Sequence, residues 1–277
     1  MSLSLIAQSV WGNPGNEGKR IRKSFDAVAW QVQKRLFSST KQIILPNGIY
    51  FKAYPDCVVS SALIYSDWPE YHEIMFVRSL LSPENIMIDV GANVGHISLL
   101  LADIVDLKNI IAFEPNPISF NRLVENWRLN DYDKSRLFQV ALGSKLGQVF
   151  IQKTEHPETT VSVNSTKKEG IPVPLFPLDH FRDHWMDRPV GFLKVDVEGY
   201  EKEVFKGSEA VLSQDRPQLV MFESLEEKLD EEMRSILDSH SYVIFQLDGD
   251  GKPDLKECSN QNLFAAPEET IERVVNM

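Results

Sequence analysis

Three stretches of the chain gather residues able to do chemistry. Asp89–Gly95 reads D-V-G-A-N-V-G, a carboxylate and an amide among glycines four residues apart. Glu114-Pro115-Asn116-Pro117 closes an apolar run with a second carboxylate. Lys194, Asp196 and Glu198 alternate in K-V-D-V-E-G. Alternation puts all three on one face of a strand. Two acids beside a lysine can accept a proton, hold a cation or form a structural ion network.

Regular elements must position these groups. Ile86-Met87-Ile88 has the composition of a buried strand that ends at Asp89. His96-Ile-Ser-Leu-Leu-Leu-Ala has that of a helix packed on a sheet. Strand, glycine turn and helix form the entry to an open parallel α/β sheet, where ligands meet backbone N–H groups at the strand ends. A dinucleotide fingerprint needs G-x-G-x-x-G, but from Gly91 those positions hold Gly91, Asn93 and His96. Gly91 and Gly95 are expected to let the backbone approach a ligand. Asp89 would repel a pyrophosphate and suits an ammonium or sulfonium, as in S-adenosylmethionine. Glu114 follows Asp89 by 25 residues, close to the offset of roughly 20 at which an acid meets a ribose diol. Asn116 before Pro117 reads as the N-cap of a helix ending near Asn130.

The motifs D-V-G-A-N-V-G, A-F-E-P-N-P at Ala112–Pro117, Asn126 and Asn130, V-A-L-G at Val140–Gly143 and F-L-K-V-D-V-E-G-Y-E at Phe192–Glu201 occur in that order. In this the chain resembles the FkbM-type methyltransferases from about Tyr71 to Pro267. The resemblance implies an α/β, Rossmann-like class I methyltransferase fold: a seven-stranded, mostly parallel sheet whose last strand is antiparallel. It implies S-adenosyl-L-methionine as cofactor and O-methylation of a hydroxyl on a sugar, glycan or natural product. Cofactor contacts are then expected from Asp89, Gly91, Ala92, Asn93, Gly95, His96, Glu114, Pro115, Asn116 and Ala141, whose small side chain leaves room for adenine. His96 departs from the family, which often has an aromatic such as tyrosine there. Asp196 is the first candidate for catalytic base, Glu198 the second, and Lys194 would pair with a carboxylate or orient substrate. Either Asp89 or Asp196 would hold the methionyl ammonium. Asp196 and Glu198 offer oxygens to a metal, but no third ligand is identifiable, and no metal is expected. N- or C-methylation on the same fold, or a non-catalytic cofactor-binding interaction protein, are the alternatives.

The chain has 277 residues and 43% hydrophobic content, enough for a substantial core. Cys57 and Cys258 form no disulfide framework. No signal peptide or membrane-length apolar stretch is apparent, so a cytoplasmic protein is expected. A net charge of −11 argues against general nucleic-acid binding. The charge is uneven: residues 1–41 carry +5 and the remainder −16.

Residues 1–70 read as an extension and a candidate cap, residues 71–277 as the cofactor-binding domain. Residues 1–20 have little periodicity and read as a loop or arm. Ser24–Phe37 is an amphipathic helix whose apolar face, with Phe25, Val28, Val32 and Leu36, would pack on the main domain or mediate homo-oligomer formation. Asn47-Gly48 between apolar runs predicts a hairpin, and Val58–Tyr65 a further strand. Tyr71–Leu81 is helical, with His72 and Glu73 as weak acceptor-facing candidates. Strands are expected near 86–90, 109–114 and 136–141, with helices at 95–105 and 117–130. Short strands follow at Gln148–Ile151, Thr160–Val163 and Ile171–Phe176. Asp179 reads as a helix N-cap. Tyr200–Leu212 and Glu226–Leu237 are helices, and Gln218–Phe222 is a strand ended by Glu223. Val243–Leu247 and Asn262–Ala265 close the sheet as an antiparallel pair. If the extension only caps the site, deleting residues 1–60 spares cofactor binding and removes turnover. The reading predicts micromolar calorimetric binding of S-adenosylhomocysteine and none of NAD; no binding to folded protein would count against it.

Overall fold

A computed structural model describes residues 3–151, 170–185, 188–224, 229–256 and 258–275. The extension comprises α1 (Leu3–Trp11), α2 (Arg20–Leu36), a hairpin of β1 (Lys41–Ile44) and β2 (Tyr50–Ala53), and α3 (Val58–Tyr65). The expected N-terminal loop is therefore partly helix. The expected strand at 58–65 is also helix: the Cys57 sulfur caps the Ser60 N–H, and burial of Ser60, Ser61, Leu63, Ile64 and Tyr65 outweighs the β-branched run.

Next come α4 (Tyr71–Leu80), β3 (Ile86–Val90), α5 (His96–Leu100), β4 (Ile110–Phe113), α6 (Pro117–Arg128) and β5 (Leu137–Phe138). A side sheet is built from β6 (Ala141–Leu142), β7 (Gly147–Ile151) and β8 (Ile171–Phe176). The third expected strand thus splits into β5 and β6. The strand expected at 160–163 lies outside the described residues. The chain continues with β9 (Val190–Val195), α7 (Glu201–Lys206), β10 (Leu219–Glu223), α8 (Glu231–Ser239), β11 (Tyr242–Leu247), β12 (Pro253–Asp254), β13 (Asn262–Pro267) and α9 (Ile271–Val275).

The main sheet runs β12-β11-β13-β10-β9-β3-β4-β5. The neighbours β10, β9, β3, β4 and β5 are parallel. β13 enters antiparallel between β10 and β11. That is the expected seven-stranded layout, with the two-residue β12 added at one edge. The central strands β3, β4, β9 and β10 are short and wholly buried because helices cover both faces: in β3, Met87 points into one apolar layer, Ile86, Ile88 and Val90 into the other.

Several helix ends differ from expectation for local reasons. α5 is five residues long and dissolves into turns. α7 stops at Gly207, where any Cβ would stand 2.0 Å from the Gly143 carbonyl oxygen. Asp179 does not cap its own segment; its carboxylate accepts the N–H groups of Ala210 and Val211. α8 starts at Glu231, capped by Asp230; residues 225–228 lie outside the described residues.

The extension is not a separable cap. Trp30, Phe51, Ala53 and Tyr54 share one apolar core with Leu100, Leu123 and Trp127. Asn126, buried in α6, accepts the Lys52 N–H and donates to the Val94 carbonyl. Asn130 exchanges hydrogen bonds with both backbone groups of Tyr50. The two asparagines therefore staple β2 to the domain. Buried amides that lose such partners cost about 1–3 kcal/mol each. Deletion of residues 1–60 should accordingly leave an insoluble or molten chain, not a folded cofactor binder. Dispersed NMR signals from the truncated protein would contradict this.

Candidate cofactor and acceptor site

The central strands end at a buried ion network. β9 pairs with β3 so that Lys194 stands beside Asp89. The Lys194 ammonium lies 3.4 Å from Asp89 Oδ1 and 3.2 Å from Asp196 Oδ2, and donates to the Gly91 carbonyl at 3.1 Å. Burial works against its charge, but Asp196 and Asp89 outweigh burial and hold its pKa above the ordinary lysine value. Asp89 is fully buried, and its Oδ2 accepts the Ser98 hydroxyl at 2.6 Å.

The glycine turn is explained by protein packing. Gly91 has φ +78°, and a Cβ there would stand 1.8 Å from the Asp196 carbonyl oxygen. Gly95 has φ +87°, and its Cβ would meet Leu123 at 2.6 Å and Trp127 at 2.7 Å. The expected ligand clearance is thus taken by the residue after β9 at one glycine and by α6 at the other.

Above this network a cavity of about 320 Å³ opens. Its wall includes Gly91, Asn93, His96, Glu114, Pro115, Asn116, Ala141, Asp196 and Glu198. Four predicted residues do not line it: Asp89, Ala92, Gly95 and Lys194. Asp89 and Lys194 are spent on each other beneath the turn, and Gly95 on α6. Ala92 is buried in the core, and its carbonyl accepts the Gly95 N–H.

Glu114, at the end of β4, accepts the Asn93 N–H at 2.8 Å and the Asn116 N–H at 2.7 Å, one per carboxylate oxygen. Burial raises its pKa to about 7 against the pull of these two amides. Each oxygen keeps lone-pair capacity for a diol. Asn116 caps α6 as expected, its side chain accepting the Ile118 N–H, with Pro117 following. Three buried atoms of cavity-lining residues have no hydrogen-bond partner among the described residues: Asn93 Oδ1, His96 Nδ1 and Glu223 Oε2. Burial, then Lys194, drives the His96 pKa down to about 4, so its imidazole is neutral.

The second half of the wall is acidic. Asp196, Glu198 and Glu223 each offer a carboxylate oxygen, all within 4.8 Å of one another. Glu198 is exposed and held at φ +56° before Gly199. Such a conformation is uncommon outside glycine and clusters at functional sites. Glu201 holds this loop by accepting the N–H groups of Val197 and Gly199. Glu70, the residue before α4, also lines the cavity, whereas His72 and Glu73 do not. Val58 and Val59 of α3 complete the wall.

Glu70 and Glu223 were not legible as pocket residues. The strand end at Glu223 was predicted, but only the β9–β10 register brings it to Asp196. Glu223 supplies the third carboxylate that the sequence lacked for a metal-capable cluster. One of its oxygens accepts from Gln261; the other is buried and has no hydrogen-bond partner among the described residues.

Burial, then the charge of Asp196, pushes the Glu223 pKa up to about 7. In the unfolded chain it ionises near about 4.3. The folded state therefore holds a proton that the unfolded state has released, and stability falls as pH rises through this window. Glu223→Gln should lose less stability than the parent between pH 5 and 8, by on the order of 2 kcal/mol. Urea denaturation at both pH values measures this; a pH-independent difference would refute it.

A family model described as the methyltransferase FkbM domain matches residues 89–244, more than half of the chain. The hexuronic acid methyltransferase AglP of Haloferax volcanii is 28% identical over 125 residues, covering 45% of this chain and 50% of that protein. The chain thus spans about half the length of the curated relative it matches. Among solved structures, M. jannaschii TYW2 in complex with AdoMet aligns at 14% identity and TM-score 0.41 over 83% of this chain and 87% of its own. P. horikoshii TYW2 aligns at 15% and 0.42 over 82% and 69%. The residues present suit the family's cofactor, S-adenosyl-L-methionine: Glu114 for a ribose diol, and the unpartnered Asn93 and His96 atoms for further polar groups. With the motif order, the strand topology and the matched domain in agreement, this chain belongs to the FkbM family of S-adenosylmethionine-dependent methyltransferases.

Proposed function

We propose that the protein O-methylates a hydroxyl group of a sugar or glycan. The observation that carries this is the pair Asp196 and Glu198 on the wall of the cavity that Glu114 also lines. S-Adenosylmethionine supplies an electrophilic methyl group. The protein must orient an acceptor, exclude water and remove one proton. A hydroxyl is a poor nucleophile at neutral pH and needs a base within hydrogen-bond reach. Asp196 fits that role: its side chain is 38% exposed, and Lys194 fixes one of its oxygens from below. Glu198, carried on the strained turn, is the second candidate. Lys194 is then a positioning residue, because it is buried and does not line the cavity. In this proposal Glu114 holds the ribose, Asn93, His96, Pro115 and Asn116 surround the cofactor, and Ala141 leaves room for the adenine.

The similarity to a hexuronic acid methyltransferase supports a sugar acceptor. The acidic wall of Glu70, Asp196, Glu198 and Glu223 favours a neutral sugar over a uronate, whose own carboxylate would be repelled. The same wall supports a second reading, N-methylation, since it would attract an amine.

Asp196→Asn should lower turnover by about 10²–10⁴-fold while S-adenosylhomocysteine binding stays within a few fold. Loss of that binding would instead move Asp196 into the cofactor site. Mass spectrometry of reactions with neutral glycosides, uronides and amino sugars separates the acceptor classes. Methylation confined to amines would replace the hydroxyl reading with the second one.

A further inference from the structure

On α2, Ile21, Phe25, Val28, Val32 and Leu36 follow at steps of three or four residues and form one stripe. The sequence predicts that this face is covered. The structure leaves it open: Phe25 is 72% exposed, Leu36 71%, Ile21 70%, Val28 64% and Val32 47%. The opposite face of α2 packs the chain's core through Ala27 and Trp30. Phe37, just past the helix, and Trp11, at the end of α1, are exposed as well. Isolated surface hydrophobics are ordinary, but a continuous stripe marks a contact surface.

The charges beside the stripe identify what covers it. On the helical wheel Arg20 and Arg35 flank one side of the stripe and Arg22 the other. Asp26 is the one acid among the 17 residues of α2, against five basic residues. Arg22 is exposed, and Asp26 approaches it only to 3.9 Å. Residues 42–277 carry −16. A polarised molecule of this kind turns its basic end toward an anionic surface and its acidic bulk away. A second copy stacked stripe to stripe would set arginine flanks against arginine flanks. No helix among the described residues is long and apolar enough to cross a membrane. At 1.5 Å per residue α2 is about 25 Å long, suited to lying flat in an interface.

We propose that α2 seats this protein on anionic lipid bilayers, its apolar stripe among the acyl chains and its arginines at lipid phosphates. The test is co-sedimentation of the full chain with phosphatidylglycerol–phosphatidylcholine vesicles and with phosphatidylcholine vesicles alone. Binding to the anionic vesicles should be at least about tenfold tighter and should weaken in about 0.5 M salt. The double variant Phe25→Ser, Val32→Ser should lose vesicle binding by at least about tenfold. Its circular dichroism and S-adenosylhomocysteine affinity should be unchanged, since neither residue contributes to the core or the cavity. Failure to sediment with anionic vesicles, or equal sedimentation of the variant, would overturn the proposal. So would light scattering that shows a dimer which the variant dissociates, because the stripe would then belong to a second copy.

Discussion

The Lys194 ammonium is the interaction on which the site depends. It is buried at the carboxyl end of a central strand, where an unpaired cation would be prohibitively unstable. Asp89, Asp196 and the Gly91 carbonyl solve that problem together. In doing so they tie the ends of β3 and β9 to the glycine turn and fix the base of the cavity. Asp196 consequently has two roles: one oxygen meets the lysine, and the carboxylate also lines the cavity. Replacing Lys194 would therefore disturb both the buried ion network and the cavity wall.

Close backbone approach supports the same geometry. Gly91 lies against the carbonyl of Asp196, and Gly95 lies against Leu123 and Trp127. The turn therefore cannot move independently of β9 or α6. Glu114 extends the arrangement by holding the amides of Asn93 and Asn116. From the far side, Asn126 and Asn130 clamp β2 onto α6. The extension thereby reaches the site, with Val58 and Val59 in the cavity wall. An N-terminal segment that looked like an accessory is part of the core.

Charge is segregated on a larger scale. Four carboxylates, Glu70, Asp196, Glu198 and Glu223, crowd one side of the cavity, while α2 carries arginines around an exposed apolar stripe. Burial strips these acids of hydration, and their neighbours' charges add repulsion, which together raise the pKa values of Glu198 and Glu223. The basic helix is a separate feature, remote from the acidic wall in sequence.

The sequence alone determined whatever depends on local pattern. Apolar runs placed β3, β4 and β9 within a residue or two, because buried parallel strands leave no room for polar residues. Asn116-Pro117 marked the start of α6, because capping is a local hydrogen bond. The cavity positions of Gly91, Asn93, His96, Glu114 and Asp196 followed from strand ends and turn spacing. What depends on distant neighbours was decided only by the tertiary structure. Val58–Tyr65 became helix because burial on several faces outweighed strand propensity. Asp89 and Lys194 stand beneath the cavity and not in its wall because strand register paired them with each other. Glu70 and Glu223 entered the cavity from elements far away in the chain, and no spacing rule relates them to Asp196. The stripe on α2 shows the limit most plainly: periodicity identified an apolar face, but only packing could show that the core takes the other side.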